Sequence, residues 1–244
     1  MYRILIVLFI VAAGIAGFRL GIRESGDGLG ADTPPRSPLD SILSESTGVQ
    51  LRAVEARDLL LRRILESDTY LPAMIAESDS VLRRWAERRV DPLRVLVERS
   101  SVPGVTPEKH RAVRDAFRRW ERVPEIPVDF VYVSPGENAD VTVRWIQAFS
   151  IERAGQAHIG WQSNGWIREG TLTLATHTRD GYPLSTDAVF TVAIHEIGHL
   201  LGLGHSDDPE DVMYPVTGVH DLTSRDRRTA MMLYSLPPGR SWAR

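Results

Sequence analysis

The feature that most constrains the fold is a set of histidines at fixed spacing between residues 195 and 205. His195 and His199 are four residues apart, so on an α-helix both imidazoles lie on one face, one turn apart. Gly202 can adopt the left-handed conformation that ends a helix, and His205 follows after enough chain to turn back. A helix, a tight turn and a loop are therefore predicted to meet where three imidazoles converge.

This donor set predicts a catalytic rather than a structural metal site. Three neutral nitrogens suit Zn²⁺, with Zn–N distances near ~2.0–2.1 Å, and three protein ligands leave one position for water. Glu196 follows the first ligand and points into the same space, so it can take a proton from the activated water. We predict one zinc held by His195, His199 and His205, with Glu196 as general base. Imidazoles that merely hydrogen-bond their neighbours would leave the Glu196 pairing and the glycine break unexplained.

Composition excludes several other classes of function. The 244 residues include no cysteine, which rules out disulfides, thiolate metal sites, iron–sulfur clusters and thiol nucleophiles. The formal charge is −3, from 29 basic and 32 acidic residues, which argues against nucleic-acid binding by bulk charge. We therefore expect no nucleic-acid partner; a monomer is predicted as well. The length suits one domain with some additional chain.

The N-terminal 20 residues are predicted to be a signal peptide or a signal anchor. Arg3 precedes an uncharged, mostly apolar run from Ile4 to Phe18, which is short for a membrane span and typical of a secretory signal. Cleavage after Ala16 would give a secreted protein, whereas extension of the run would anchor the chain through residues 4–22. Both remain open, and both place the rest of the chain outside the cytoplasm.

Four further regions follow this leader. Residues 21–46 are rich in Gly, Pro, Ser and acids and predict a flexible linker. Residues 47–90 predict a helical pro- or stalk region, with a second short helix over 72–85. Residues 91–236 form the predicted catalytic domain, and residues 237–244 form a C-terminal tail.

The pattern from residue 91 onward predicts an α/β (α+β) fold. Helices are expected after an N-cap at Thr106, from Thr186, and from Ser224 to Tyr234, where Thr223 and Asp226 fit a capping box. Alternating apolar residues predict strands over 93–98, 127–134, 139–146, 155–161 and 170–176.

The extended zinc motif, followed by the segment DVMYP at 211–215, resembles the metzincin metallopeptidases. Ser206 directly after the third histidine, together with Met213, Tyr214 and Pro215, is similar to the matrixin branch, the matrix metallopeptidases. The resemblance covers roughly residues 91–236. It implies a zincin-like domain with a twisted, mostly parallel sheet, an antiparallel edge strand and three main helices.

The resemblance also implies roles for individual residues and an activity. Met213 would be the Met-turn residue, an apolar floor beneath the zinc. Pro215, Val216, Thr217 and His158 would be substrate-binding residues. The implied activity is that of a secreted or membrane-anchored zinc endopeptidase acting on extracytoplasmic proteins. A non-matrixin metzincin and a catalytically silent, membrane-tethered zinc-binding protein remain as alternatives.

Departures from the family pattern concern regulation and specificity. Without cysteine, residues 21–90 cannot block the zinc by the thiolate switch of matrixin propeptides. No His-Gly-Asp precedes the strand at 155–161, so the second, structural zinc site of vertebrate matrixins is not recognisable. Arg225-Asp226 stands where two acids often open the last helix, and the loop Val216–Asp221, which walls the specificity pocket in the family, is short.

Two weaker candidates complete the expectations. His110 is predicted to lie on a solvated helix face. The acids at 207, 208, 210 and 211 could bind Ca²⁺, but a solvated acidic loop is favoured.

Overall fold

The computed structural model describes residues 55–77, 81–216 and 218–239. The predicted leader, the linker, Thr217 and the end of the tail lie outside these residues. Residues 55–65 are helical (α1), and Ile64 begins the compact unit that contains the rest of the described chain. Helix α2 is Leu71–Glu77, so the helix predicted over 72–85 is too long: Trp85 lies in an extended segment.

A five-stranded sheet forms one layer of this unit. Its strands are β1 (Arg88–Val97), β2 (Val128–Tyr132), β3 (Val141–Ile146), β4 (Gly155–Trp161) and β5 (Ile167–Ala175). They lie in the order β2-β1-β3-β5-β4. Strands β2, β1, β3 and β5 pair in parallel, and β4 runs antiparallel to β5 at the edge, which confirms the predicted fold class. One edge of β4 is left free of a partner strand within the described chain.

Helices α3 (Pro107–Glu121) and α4 (Thr186–Leu200) pack against each other. The fully buried Trp120 of α3 donates its Nε1–H to the carbonyl of Ile194 in α4 at 2.8 Å. Thr106 caps α3 as predicted, with Pro107 in its first turn. The last helix, α5 (Ser224–Ser235), begins with the predicted capping box.

The segment before the sheet packs on α5. The buried Tyr70 donates its backbone N–H to Thr229 Oγ1 at 3.2 Å and its hydroxyl to Asp226 Oδ1 at 3.3 Å. Asp68 forms ion pairs with Arg225 and Arg228. Trp85 reaches the end of α4, donating Nε1–H to the carbonyl of Leu200 at 2.8 Å. The buried residues of 64–77 and 81–85 thus share a core with the sheet and helices that follow.

Within the described residues, no helix has the length and apolar character needed to cross a membrane.

Candidate metal centre

Helix α4 delivers two histidines and a glutamate from one turn and a half. It begins after an N-cap at Ser185 and ends at Leu200. Gly202 has φ +98°, and a Cβ there would lie 2.0 Å from the carbonyl oxygen of Arg83. Glycine is therefore required at this position for two reasons: the backbone is left-handed, and another chain segment approaches closely. The turn sends the chain back toward the helix.

The three predicted ligands converge. The Nε2 atoms of His195 and His199 are 3.1 Å apart, and a ligand atom of His205 joins them in a group whose members all lie within 4.8 Å of one another. Tetrahedral coordination with Zn–N near 2.05 Å requires N···N separations of roughly 3.3 Å. Among the described residues, this is the one cluster of histidines or acids arranged for a metal.

Backbone carbonyls determine which nitrogen of two rings is free. His195 donates its Nδ1–H to the carbonyl of Val212 at 2.7 Å, and His199 donates its Nδ1–H to that of Leu203 at 2.8 Å. Because a carbonyl oxygen can only accept, each Nδ1 must carry the proton and each Nε2 presents a lone pair. Two lone pairs facing each other at this distance repel unless a cation lies between them, so the donor set fits Zn²⁺.

Burial keeps these imidazoles neutral, as metal ligation requires. Desolvation and the neighbouring His199 lower the pKa of His195 to about 3 and that of His205 to about 4. Burial also lowers the pKa of His199. No proton therefore has to leave an imidazole at neutral pH before the metal binds.

Glu196 lies against the first residues of β4. A Cβ at Gly155 would lie 2.7 Å from Glu196 Cγ and 2.9 Å from its Oε1, so the absence of a side chain makes room for the carboxylate. Burial raises the pKa of Glu196 to about 7, although the backbone N–H of Ala157 and the charge of Arg153 oppose the shift. A carboxyl group with a pKa near neutrality can both accept and return a proton.

Met213 is fully buried and packs against α4 at Gly198. A Cβ at Gly198 would lie 2.4 Å from Met213 Sδ and 3.0 Å from Trp120. Gly198 lies between Glu196 and His199 in the chain. It is therefore the point where residues 211–215, called the methionine loop below, pack directly on the helix backbone through Met213. Sequence reasoning identified Met213 but did not recognise this glycine, which it could not separate from the variable positions of the motif.

We expect Gly198→Ala to destabilise the protein because its methyl group must displace Met213. Inserting a methyl group into a close-packed core typically destabilises by about 1–3 kcal/mol, against which the helix propensity of alanine returns up to about 1 kcal/mol. The midpoint of urea unfolding of the zinc-loaded protein measures the effect, and Gly218→Ala, an exposed site with nothing within 4 Å, serves as control. Equal midpoints for the two variants would contradict the packing argument.

A buried carboxylate holds the methionine loop in place. Asp226 accepts hydrogen bonds from the backbone N–H groups of Val212, Met213 and Thr223 at 2.9–3.3 Å, besides the Tyr70 hydroxyl. The capping-box residue therefore also connects α5 to the residues beneath the metal centre. The capping signature was visible in sequence, but this second role was not.

Arg225 organises the acidic loop after His205. It donates to Ser206 Oγ and Asp211 Oδ2 at 2.8 Å each and to Asp207 Oδ1 at 2.7 Å. Two of the four acids considered for Ca²⁺, Asp207 and Asp211, are therefore paired with Arg225. Asp211 is only 3% exposed. The prediction of a solvated acidic loop is therefore wrong for Asp211, which is buried against Arg225.

The metal centre opens into a cavity of about 260 Å³. Pro215, one of the predicted substrate-binding residues, lines this cavity, and its contact with substrate stays a prediction. Val216 is half-buried outside its lining, and Thr217 lies outside the described residues. His158 is exposed on β4 and lies outside the lining, although its neighbours Gln156 and Ala157 contribute to it. Whether His158, Val216 and Thr217 contact substrate stays a prediction.

Arg153, at the mouth of the same cavity, was missed by sequence reasoning. It is one arginine among many in this chain, and no local pattern distinguishes it. His110 was assigned wrongly: it is half-buried, with its ring centroid 5.3 Å from that of Trp145. The neighbouring Lys109 is buried instead and donates Nζ–H to the carbonyl of Gly104 at 2.8 Å.

Comparison with known proteins agrees with this geometry. The family model described as matrixin matches residues 84–235. The chain is 33% identical to matrix metalloproteinase-16 of Rattus norvegicus over 126 residues, which are 45% of this chain and 20% of the relative. It is 35% identical to human neutrophil collagenase over 118 residues, 44% of this chain and 24% of the relative.

A plant protein gives a longer match. The chain is 32% identical to metalloendoproteinase 2-MMP of Arabidopsis thaliana over 158 residues, 55% of this chain and 39% of the relative. All three matches therefore span well under half of the relatives' own length.

Proposed function

The chain belongs to the matrixin family, and on this premise we propose that it is a zinc-dependent endopeptidase that hydrolyses peptide bonds of extracytoplasmic proteins. The observation that carries the proposal is the convergence of three neutral imidazoles beside a buried glutamate at the floor of an open cavity. A structural zinc site would have a fourth protein ligand and no need of an adjacent base.

His195, His199 and His205 would hold Zn²⁺, which would polarise the scissile carbonyl and lower the pKa of a water molecule. The chain's own residues supply the rest of the chemistry. The Nδ1–H bonds of His195 and His199 hold their rings in the ligating orientation. The Glu196 carboxylate accepts a proton from the attacking water and then donates it to the leaving nitrogen of the peptide. The apolar surroundings that raise the pKa of Glu196 make both transfers accessible near neutral pH.

The free edge of β4 offers a way to hold an extended substrate. A peptide that adds to this edge would exchange main-chain hydrogen bonds with Gly155–Trp161, and side-chain pockets would then provide selectivity. Backbone pairing is insensitive to sequence, so we propose a broad protein or peptide substrate class. Pro215, Val216, Thr217 and His158 are proposed as contacts near the scissile bond.

Location is proposed from the sequence. An N-terminal signal peptide, or an anchor through residues 4–22, would place the catalytic unit outside the cytoplasm. N-terminal sequencing of the secreted and membrane fractions distinguishes the two. The linker over 21–46 and a catalytic domain that acts as a monomer remain parts of the same proposal.

If the proposed function is correct, proteolysis by this protein depends on bound zinc. Purified protein should degrade casein or gelatin, lose at least 90% of this activity with a chelator as the metal is removed, and recover it when about one equivalent of Zn²⁺ is returned. Elemental analysis before and after chelation is the accompanying measurement. Stoichiometric zinc without detectable hydrolysis of either protein would favour the alternative, a catalytically silent zinc-binding protein. The family match favours the matrixin branch over other metzincins.

A further inference from the structure

A second cavity, of about 460 Å³, adjoins the metal centre, and one of its walls is formed by residues that precede the family match at residue 84. This wall consists of Met74 and Glu77 of α2 together with residues 81–83. The opposite wall consists of Ile159 of β4 and residues of the loop 202–204.

This upstream wall is held firmly in place. Asp68 pairs with Arg225 and Arg228, while Tyr70 is buried against α5 through two hydrogen bonds. Met74 is itself 5% exposed, and its Cγ would be 3.0 Å from a Cβ at Gly204, the residue before His205. The wall is therefore anchored to the helix that supports the metal centre and packs on the loop that carries the third ligand.

The two cavities are neighbours at the metal centre, because Ala157 and His199 line both. The first cavity lies along Gly155–Ala157, and the second extends toward Ile159. Antiparallel pairing is slightly more stable per residue than parallel pairing, and a peptide added to β4 in this way runs in the opposite direction to that strand. Its residues on the amino side of the scissile bond then lie over the second cavity, and those on the carboxyl side lie over the first.

The lining of the second cavity combines the charged residues Glu77 and Arg83 with five large apolar residues: Met74, Val81, Leu82, Ile159 and Leu203. A cavity of this kind gains free energy by excluding water with an apolar side chain. We propose that Met74, Glu77 and residues 81–83 form one wall of a substrate subsite for a large apolar side chain on the amino side of the scissile bond. This inference rests on the proposed peptidase function. It makes the upstream segment part of the working enzyme rather than a removable inhibitor.

The test uses the full-length, zinc-loaded chain and pairs of peptides that differ only in Leu or Gly at one of three positions before the scissile bond. Wild type should prefer Leu about tenfold or more in kcat/KM at one of these positions, as apolar pockets typically do. Met74→Ala should reduce that ratio at least about threefold, because alanine removes most of the apolar side chain that would contact the substrate. Met74→Leu should retain the ratio, because leucine has a similar apolar volume. Since the ratio compares two substrates of one enzyme preparation, a lower folded fraction does not change it.

Met232→Ala is the matched control, because Met232 is half-buried on α5 and lines neither cavity. A Met74→Ala ratio equal to that of wild type and of this control would overturn the subsite. The same peptides are also titrated by fluorescence anisotropy against zinc-loaded Glu196→Gln. A Leu preference in binding without any hydrolysis by wild type would support the subsite while contradicting the peptidase proposal, so the two can fail separately.

Discussion

Glu196→Gln is expected to keep one zinc per chain and to lose peptide hydrolysis by a factor of at least about 10²–10⁴. The amide is nearly isosteric with the carboxylate beside Gly155, so the three imidazoles should be undisturbed. What disappears is the group that takes the proton from water and returns it to the leaving nitrogen. The measurement is kcat/KM on a casein-derived peptide, together with elemental analysis.

The control for this variant is Glu125→Gln, which changes an exposed glutamate in the turn between α3 and β2 and should leave both zinc content and hydrolysis within about twofold of wild type, as surface substitutions usually do. Hydrolysis by zinc-loaded Glu196→Gln at the wild-type rate would refute the role of Glu196. Loss of zinc in that variant would show that the carboxylate helps to hold the site instead.

His205→Ala is expected to abolish stoichiometric zinc binding and, with it, hydrolysis. His195 and His199 alone leave a two-nitrogen site open to the cavity. Loss of an outer-shell partner already weakens metal binding by roughly 10–100-fold, so loss of a direct ligand should exceed that. Competition with a chromophoric chelator measures the affinity directly, independently of activity.

His110→Ala provides the matched control, because this histidine packs on Trp145 and contributes no atom to the three-histidine group. Zinc affinity should be within about twofold of wild type in that variant, the expectation for a site with no shared contacts. Wild-type affinity in His205→Ala would contradict the assignment of the third ligand, and with it the interpretation of the chain as a zinc enzyme.

Local periodicity was sufficient to predict most elements of the sheet and helices. β4 matches its predicted bounds because its ends are marked by Gly155 and by the turn at Asn164-Gly165. β1 begins at Arg88, five residues earlier than predicted from Leu93. Residues 88–92 show no alternation and include Pro92, and they are extended because Arg88 pairs with Val128 across the sheet. Such pairing comes from a distant segment, which no local pattern reports.

The burial of charged residues exceeded what the sequence could indicate. Lys109 can be buried because its Nζ–H donates to the carbonyl of Gly104. Asp211 can be buried because it forms an ion pair with Arg225 of α5. A sequence shows the type of a charged residue but not the partner that offsets its desolvation. The same reason explains why Asp226 was recognised as a helix cap but not as the support of the methionine loop.

The sequence by itself determined that three imidazoles converge close to Glu196, because their geometry arises within a single helix and the turn that ends it. A spacing of four residues puts His195 and His199 on one face whatever surrounds them. Only the tertiary structure decided what encloses that centre: the edge strand beside Glu196, the methionine loop on Gly198 and the upstream wall at Met74. These contacts join segments far apart in the chain, and their closeness follows from packing the whole core, which no short-range pattern encodes.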